Sequence, residues 1–295
     1  MWVFLALGAA ALTSFNPILY KRMLKDADPI ILVWSVTLLA LPLLGLFTLT
    51  LTPRRPSFDG YFVFGLLGSA GLNVFAHLAS TRALQLEEAS LVTPLLTFSP
   101  VFTALISAIF LGEIPSAPGW IGIIFVLFGA YWLNYQPGTG WFSPVQALAV
   151  KPGVLLVLLA GLLWAITPLF EKVAIQHTQP QSPHVVAFAA TALLTLMLTP
   201  PVFMRGQIAL IKLSLHRREL VFAGLIAAIA PLLAYTAYSL GFVGYVTTLF
   251  KMSTVMTIIW SSLLLKERGV GQRLPSASVM VIGVIILASS GNAGA

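Results

Sequence analysis

Long apolar segments separated by short polar stretches constrain the fold of this chain more than any other feature. Ten such segments can be marked, and each is close to the roughly 20 residues that an α-helix needs to cross a bilayer. They cover residues 2–20, 29–51, 60–82, 89–111, 117–136, 153–176, 184–204, 219–242, 245–265 and 275–290. The pattern predicts an all-α integral membrane protein with ten transmembrane helices.

The composition excludes a water-soluble protein. Charged residues make up 8% of the 295 and hydrophobic residues 58%, whereas a soluble domain carries about 25% charged residues. Cysteine is absent, which excludes disulfides and thiolate chemistry. The first apolar segment has no basic region before it and no small-residue cleavage site after it, so we expect a retained helix rather than a signal peptide.

Two connections are longer than the others. Residues 137–152 lie midway along the chain, and we interpret them as a linker between a first repeat at 1–136 and a second at 153–295. In the stretch 205–218, Ile208, Ile211 and Leu215 fall on one helical face and the basic residues fall elsewhere. This pattern predicts a basic helix lying at the membrane surface.

The two halves of the chain resemble each other. Asn16-Pro17 in the first segment corresponds to Thr167-Pro168 in the sixth. Glu113 lies fourteen residues after Ser99, and Glu267 lies fourteen residues after Ser253. With five helices in each half, the second half enters the membrane from the opposite side. The sequence therefore predicts two inverted five-helix repeats, an architecture that recurs in secondary transporters.

Several short motifs point to a known family. They are Ala83-Leu84, Ala89-Ser90, Ser99-Pro100-Val101-Phe102-Thr103-Ala104 and Leu111-Gly112-Glu113. In these motifs, and in helix count and loop lengths over essentially the whole chain, the sequence resembles the drug/metabolite transporter superfamily, specifically its ten-helix EamA-type members. The resemblance implies a central cavity lined by the first, third, fourth, sixth, eighth and ninth helices. The second half departs from the motif, because Thr254 replaces its proline and Lys266 its glycine.

The distribution of basic residues gives an orientation. Eleven Lys and Arg residues fall on the side of loops 1–2, 5–6, 7–8 and 9–10, against three on the other side: Arg54, Arg55 and Lys172. Because basic loops stay in the cytoplasm, this count places both termini outside it. The family resemblance implies termini inside the cytoplasm, so the two arguments conflict.

Lys251 is the most informative candidate for substrate binding. It lies about seven residues into an otherwise uncharged segment, and a charge in the bilayer costs roughly 2.5–3.5 kcal/mol. An ammonium group at this depth can bind a carboxylate or phosphate of a substrate. The alternative is a lysine that extends its side chain to the nearer membrane surface.

Four further residues are expected to shape the pocket that the resemblance implies: Asn16, His77, Trp164 and Tyr238. His77 shares a helical face with Asn73 and Ser80, and its imidazole titrates near neutrality. Such a polar face lines a pore or forms hydrogen bonds between helices. For the aromatic residues the alternative is anchoring at the membrane interface.

Coupling or gating has two candidate residues, Glu171 and Arg82. Glu171 either accepts a coupling proton or caps an interfacial helix end, and Arg82 either gates or belongs to a solvated surface cluster. Pro17 and Pro168 occupy matched positions, and because proline removes a backbone hydrogen bond we expect a helix break at each.

These features favour a secondary transporter that moves a small polar metabolite, an amino acid or other organic anion, by alternating access in the export direction. No Walker A motif is present, so an ion or exchange gradient must drive it. An exchanger of phosphorylated metabolites is the first alternative, and an integral membrane enzyme is the second. We expect a bacterial inner membrane protein, monomeric or homodimeric, that uses a proton or counter-substrate and has no catalytic activity, cofactor, metal site or nucleic-acid partner.

Overall fold

The structure is a computed structural model of the chain, and it describes residues 1–24, 27–52, 54–86, 99–134, 152–204, 216–265 and 270–290. Two short strands, β1 (Ser57–Phe58) and β2 (Thr178–Gln179), pair antiparallel. The helices are α1 (Trp2–Thr13), α2 (Asn16–Met23), α3 (Pro29–Leu51), α4 (Gly60–Leu86), α5 (Ser99–Phe110), α6 (Ala117–Asn134), α7 (Pro152–Gln176), α8 (Pro183–Met204), α9 (Arg217–Leu240), α10 (Val243–Phe250), α11 (Met252–Leu265) and α12 (Val270–Ser289). The predicted linker and the predicted basic surface helix lie largely outside the described residues.

The described part of the chain is nearly all helical, apart from the β1–β2 pair, in agreement with the predicted class. Six helical stretches there are long and apolar enough to cross a membrane: Trp2–Tyr20, Pro29–Leu51, Gly60–Ser80, Gly153–Gln176, Pro183–Met204 and Arg217–Leu240. Large apolar side chains such as Phe4, Ile109 and Phe203 are 80%, 77% and 70% exposed, as expected of surfaces that face lipid rather than water. The total of ten transmembrane helices stays a prediction.

The chain forms two compact units, which do not follow the two halves of the sequence. Unit 1 comprises Met1–Val74 and Phe170–Leu240, and unit 2 comprises Phe75–Leu169 and Gly241–Ala295. Each unit thus combines parts of both halves, and α4 and α7 each contribute to both units. The repeat boundaries at 136 and 153 stay predictions.

Unit 1 is built around α9, which packs against α1 and α3, while α8 packs against α3. Asp28 fixes the start of α3, because its carboxylate accepts a hydrogen bond from the Ile30 N–H at 2.8 Å and Pro29 takes a position that needs no N–H. The Trp34 indole N–H donates to the Thr199 hydroxyl at 3.0 Å and ties α3 to α8. The apolar core beside it contains Met23, Ile30, Ile31, Leu32, Val36, Leu198, Val202 and Ala223.

The two ends of unit 1 are closed by polar contacts. At one end the His177 ring donates to the Asp59 carboxylate at 2.7 Å beside the β1–β2 pair, and at the other Arg22 lies 3.6 Å from Glu219. The hydrogen bond from His177 holds the pKa of Asp59 below its usual value. Ionised Asp59 therefore stabilises the folded protein fully at a pH above the pKa that Asp59 has in the unfolded chain. This stabilisation is lost as the pH falls through the lower pKa that Asp59 has in the folded protein.

Close packing of α6 against α12 holds unit 2 together. A Cβ added to Gly122 would lie 2.9 Å from the Gly283 carbonyl oxygen, and one added to Gly283 would lie 2.7 Å from the Val126 nitrogen. Two glycines therefore let the two backbones approach, as in other helix pairs within membranes. Gly112, with φ +68°, follows the end of α5 in a left-handed conformation that glycine adopts without strain.

Breaks occur in the first and ninth apolar segments. The first separates α1 from α2 just before Asn16 and Pro17, and the other separates α10 from α11 at Lys251. At Lys251 the chain passes through a tighter turn, in which the Lys251 N–H donates to the Thr248 carbonyl and the Lys251 carbonyl accepts from Thr254, both at 3.1 Å.

The expected helix break at Pro168 is wrong. Pro168 lies inside α7, which runs without interruption from Pro152 to Gln176. In the turn before it, the Thr167 hydroxyl donates to the Leu163 carbonyl at 2.9 Å and the Thr103 hydroxyl to the Ala165 carbonyl at 3.0 Å. Threonine hydroxyls that bind the carbonyls near a proline allow a membrane helix to continue through it.

The orientation given by the basic residues can be tested with single cysteines, because the chain has none. Ser57 and Leu24 are exposed at opposite ends of unit 1. If the termini lie outside the cytoplasm, a membrane-impermeant maleimide will label Ser57→Cys in intact cells and Leu24→Cys only after the cells are permeabilised. The reverse pattern would favour the orientation that the family resemblance implies.

Candidate functional site

A polar cluster lies inside the helices of unit 1. It consists of Ser69 on α4, Glu171 on α7, and Tyr235 and Tyr238 on α9, and we call it the carboxyl cluster. The Ser69 hydroxyl donates to Glu171 Oε1 at 3.1 Å, and the Tyr235 hydroxyl also hydrogen-bonds this carboxylate. Ser69 and Glu171 are 1% and 8% exposed. A buried carboxylate within a spanning helix is costly, which makes it a candidate functional group.

Small residues on α4 bring Ser69 to Glu171. A Cβ added to Gly65 would lie 2.7 Å from the Phe170 carbonyl oxygen, and one added to Gly68 would overlap the Phe170 ring. Because no side chain separates the two helices here, the α4 and α7 backbones lie close together. A serine has a short side chain, so its hydroxyl reaches the carboxylate only at such a distance.

The two tyrosines complete the cluster from α9. The Tyr235 and Tyr238 rings lie with centroids 6.2 Å apart at 62°, and both residues are buried. Tyr238, predicted to shape a substrate pocket, is thus grouped with Glu171, predicted to serve coupling or gating. Interfacial anchoring does not describe Tyr238, since its side chain is 4% exposed.

A second pair of predicted site residues meets in unit 2. The His77 ring on α4 and the Trp164 ring on α7 lie with centroids 5.5 Å apart at an interplanar angle of 78°. This edge-to-face arrangement is one that aromatic pairs favour. Both side chains are half-buried, so the pair combines an apolar wall with the hydrogen-bonding nitrogens of an imidazole.

The other predicted residues lie elsewhere. Lys251 is half-buried at the junction of α10 and α11, and Arg82 is exposed near the end of α4. Asn16 begins α2, next to the break in the first segment. Within the described residues, the side-chain oxygen Oδ1 of Asn16 is buried and has no hydrogen-bond partner. A buried acceptor without a donor is rare in proteins.

Sequence reasoning gave no role to Ser69 or Glu113. Ser69 follows Gly65 and Gly68 on α4, and this run of small residues was the available signal. The buried Glu113 carboxylate accepts a hydrogen bond at 2.6 Å from the Val243 N–H at the start of α10. Carboxylates suit helix N-termini because the first N–H groups there have no partner within the helix.

Comparison with known proteins gives the same fold over almost the whole chain. The crystal structure of another protein superposes with a TM-score of 0.76 over 97% of this chain and 95% of that chain, at 15% sequence identity. No curated protein shows detectable sequence similarity. At this identity the solved structure establishes the fold alone.

The family is established by a sequence model. The model of the EamA-like transporter family matches residues 1–135 and again residues 151–289. The two matches cover nearly all of the chain, and with the apolar spans they identify a multi-pass integral membrane protein. The predicted membership in the drug/metabolite transporters is confirmed, and the chain belongs to the EamA-like transporter family.

Proposed function

We propose that this protein is a secondary transporter that moves a small polar metabolite across a bacterial inner membrane by alternating access. The observation that carries the proposal is Lys251, a half-buried cation at a helix break inside an apolar segment. Lys251 lies about 12 Å along the helical segment from Val243 and about 21 Å from Leu265, at a rise of about 1.5 Å per residue. Transporters place substrate sites at such breaks near the middle of the membrane.

The chemistry of the candidate residues in unit 2 favours a substrate that carries an acidic group. The Lys251 ammonium binds a carboxylate. His77 and Trp164 supply an aromatic surface with polar nitrogens. An amino acid or another organic anion meets these requirements, and we propose export as the direction.

The alternatives have less support. An exchanger of phosphorylated metabolites would need several cations around the substrate, and Lys251 is the clear candidate that the sequence offers. An integral membrane enzyme disagrees with membership in a transporter family. In addition, the described residues contain no group of three His, Asp or Glu side chains that could hold a metal ion for catalysis.

Counterflow in proteoliposomes tests the proposal directly. Vesicles containing the protein are loaded with unlabelled amino acids, dicarboxylates, sugar phosphates or amines in turn, and entry of the labelled compound is followed. We expect saturable entry of at least one amino acid or carboxylate, and none into protein-free vesicles. Saturable counterflow restricted to sugar phosphates would favour the exchanger. Absence of saturable entry for the whole panel, from protein that remains folded, would refute this substrate class.

A further inference from the structure

Hydroxyl groups are hydrogen-bond partners of Glu171. Ser69 and Tyr235 reach Glu171 with hydroxyl groups. Other acidic side chains have donors among their partners: Asp28 and Glu113 each accept a hydrogen bond from a backbone N–H, and Asp59 accepts one from His177. A backbone N–H can only donate, so it favours the ionised carboxylate and cannot accept the O–H of the neutral acid.

A hydroxyl group can serve both protonation states of a carboxyl group. It donates to the carboxylate when Glu171 is ionised, and it accepts from the carboxylic acid O–H when Glu171 is neutral. To change from donor to acceptor, the Ser69 or Tyr235 hydroxyl needs only to rotate about its C–O bond. The buried cluster therefore keeps its hydrogen bonds with or without the proton, and neither state leaves an unsatisfied group in the membrane.

Within the part of the chain that the structure describes, few other titratable groups surround Glu171. Tyr235 and Tyr238 on α9 interact electrostatically with Glu171, whereas α1 has no titratable side chain. On the part of α4 that belongs to unit 1, the titratable residue is Tyr61, whose ring lies 4.9 Å from that of His177. Lys172 follows Glu171 on α7 and is also buried, but consecutive residues on a helix do not face each other.

The depth of the cluster allows a proton to reach it from one side. Glu171 lies five residues before the end of α7 at Gln176, and Tyr235 five residues before the end of α9 at Leu240. Both distances correspond to about 8 Å along the helix axis. Both helices end on the side of unit 1 that carries β1 and β2. A proton that enters from that side therefore crosses only a small part of the membrane to reach Glu171.

We infer that Glu171 is the proton-binding site that couples transport to the proton gradient, with Ser69 and Tyr235 as the groups that hold it in both states. This inference rests on the proposed function and adds the coupling ion to it. One proton passes from a hydronium ion in solution to a Glu171 carboxylate oxygen, breaking an O–H bond of hydronium and forming one on Glu171. The Glu171 O–H bond breaks when the proton is released to water on the other side.

Infrared difference spectroscopy between low and high pH, on the full-length protein without substrate, tests proton binding by itself. The probe is the carbonyl stretch of a protonated carboxylic acid. We expect a band that grows as the pH falls, that is lost in Glu171→Gln, and that persists in the matched control Glu113→Gln. In Tyr235→Phe, which keeps the ring and removes the hydroxyl, the pH midpoint of the band moves. A band that is unchanged in Glu171→Gln would overturn the assignment.

Transport tests the coupling separately, with the amino acid or carboxylate that shows counterflow. One proton carried per substrate makes a gradient of one pH unit drive about tenfold accumulation, because one unit corresponds to about 1.4 kcal/mol. We expect this accumulation in the wild type and in Glu113→Gln. Glu171→Gln should keep counterflow at equal pH and lose accumulation entirely.

If Glu171→Gln accumulates substrate along a pH gradient as the wild type does, Glu171 is not the coupling site, although the protein is still a transporter. Absence of counterflow in the wild type would refute the proposed function instead, and the infrared band would still decide whether Glu171 binds a proton.

Discussion

Gly283→Leu is expected to leave little folded protein, the largest effect on stability that we predict for a single substitution. A Cβ at this position would lie 2.7 Å from the Val126 nitrogen and 2.8 Å from the Gly122 carbonyl oxygen. Both are backbone atoms, so no side-chain rotation relieves the overlap. Overpacked cores lose about 1–3 kcal/mol when neighbouring side chains can adjust, and we expect a loss at or above the upper end of this range.

The measurement is the yield of monodisperse protein in detergent and its melting temperature. Gly283→Ala should already lower the melting temperature, because the overlap begins at Cβ, and Gly283→Leu should lower it further. Ile282→Leu is the matched control, since Ile282 is 47% exposed on the same helix and should behave as the wild type. Wild-type yield and melting temperature for both Gly283 variants would show that α6 and α12 do not pack as described.

Lys251→Met is expected to remove the stabilisation of the folded protein by acidic ligands. Methionine has a similar length and no charge, so it tests the ammonium rather than the packing. A hydrogen bond to a charged group contributes about 1.5–3 kcal/mol. Its loss should therefore make the Kd of Lys251→Met for an acidic ligand roughly 10- to 150-fold larger than that of the wild type. At a ligand concentration about 100 times the wild-type Kd, the wild type gains about 2.7 kcal/mol of stability, and the variant should lose about half to nine-tenths of that gain.

A thermal-shift titration with the amino acids and carboxylates of the counterflow panel measures this effect. Arg22→Met is the control, because it removes an exposed cation at the end of unit 1 and should leave the ligand-induced shift unchanged. If the same ligands stabilise Lys251→Met as much as the wild type, Lys251 does not bind the substrate. Stabilisation by amines alone would replace the anionic substrate class with a cationic one.

The helix breaks show where local sequence rules fail. Pro17 and Pro168 occupy matched positions in the two halves, and the same physical rule predicted a break at both. The first segment is broken beside Pro17, but α7 continues through Pro168. In the turn before Pro168, the hydroxyl of Thr103, a residue distant in sequence, binds the Ala165 carbonyl. A rule that uses only neighbours along the chain has no access to that donor.

The residues of the candidate site also differ in whether the sequence alone could identify them. Glu171, His77 and Lys251 could be singled out from the sequence because an ionisable residue in an apolar segment stands out without any structure. Ser69 could not, since a serine is common in membrane helices. Its place in the carboxyl cluster depends on Glu171, which lies 102 residues away in the sequence.

The amino-acid sequence by itself determined that this protein lies in a membrane, that it is helical and that it is an EamA-like transporter. Those properties follow from the length and apolarity of segments and from short motifs, which are local. Only the tertiary structure decided that each compact unit combines parts of both halves, and that Glu171 meets Ser69 and Tyr235. Both outcomes depend on which helices approach closely enough to touch, and small residues such as Gly65 and Gly68 allow that approach without showing in the sequence which helix will be the partner.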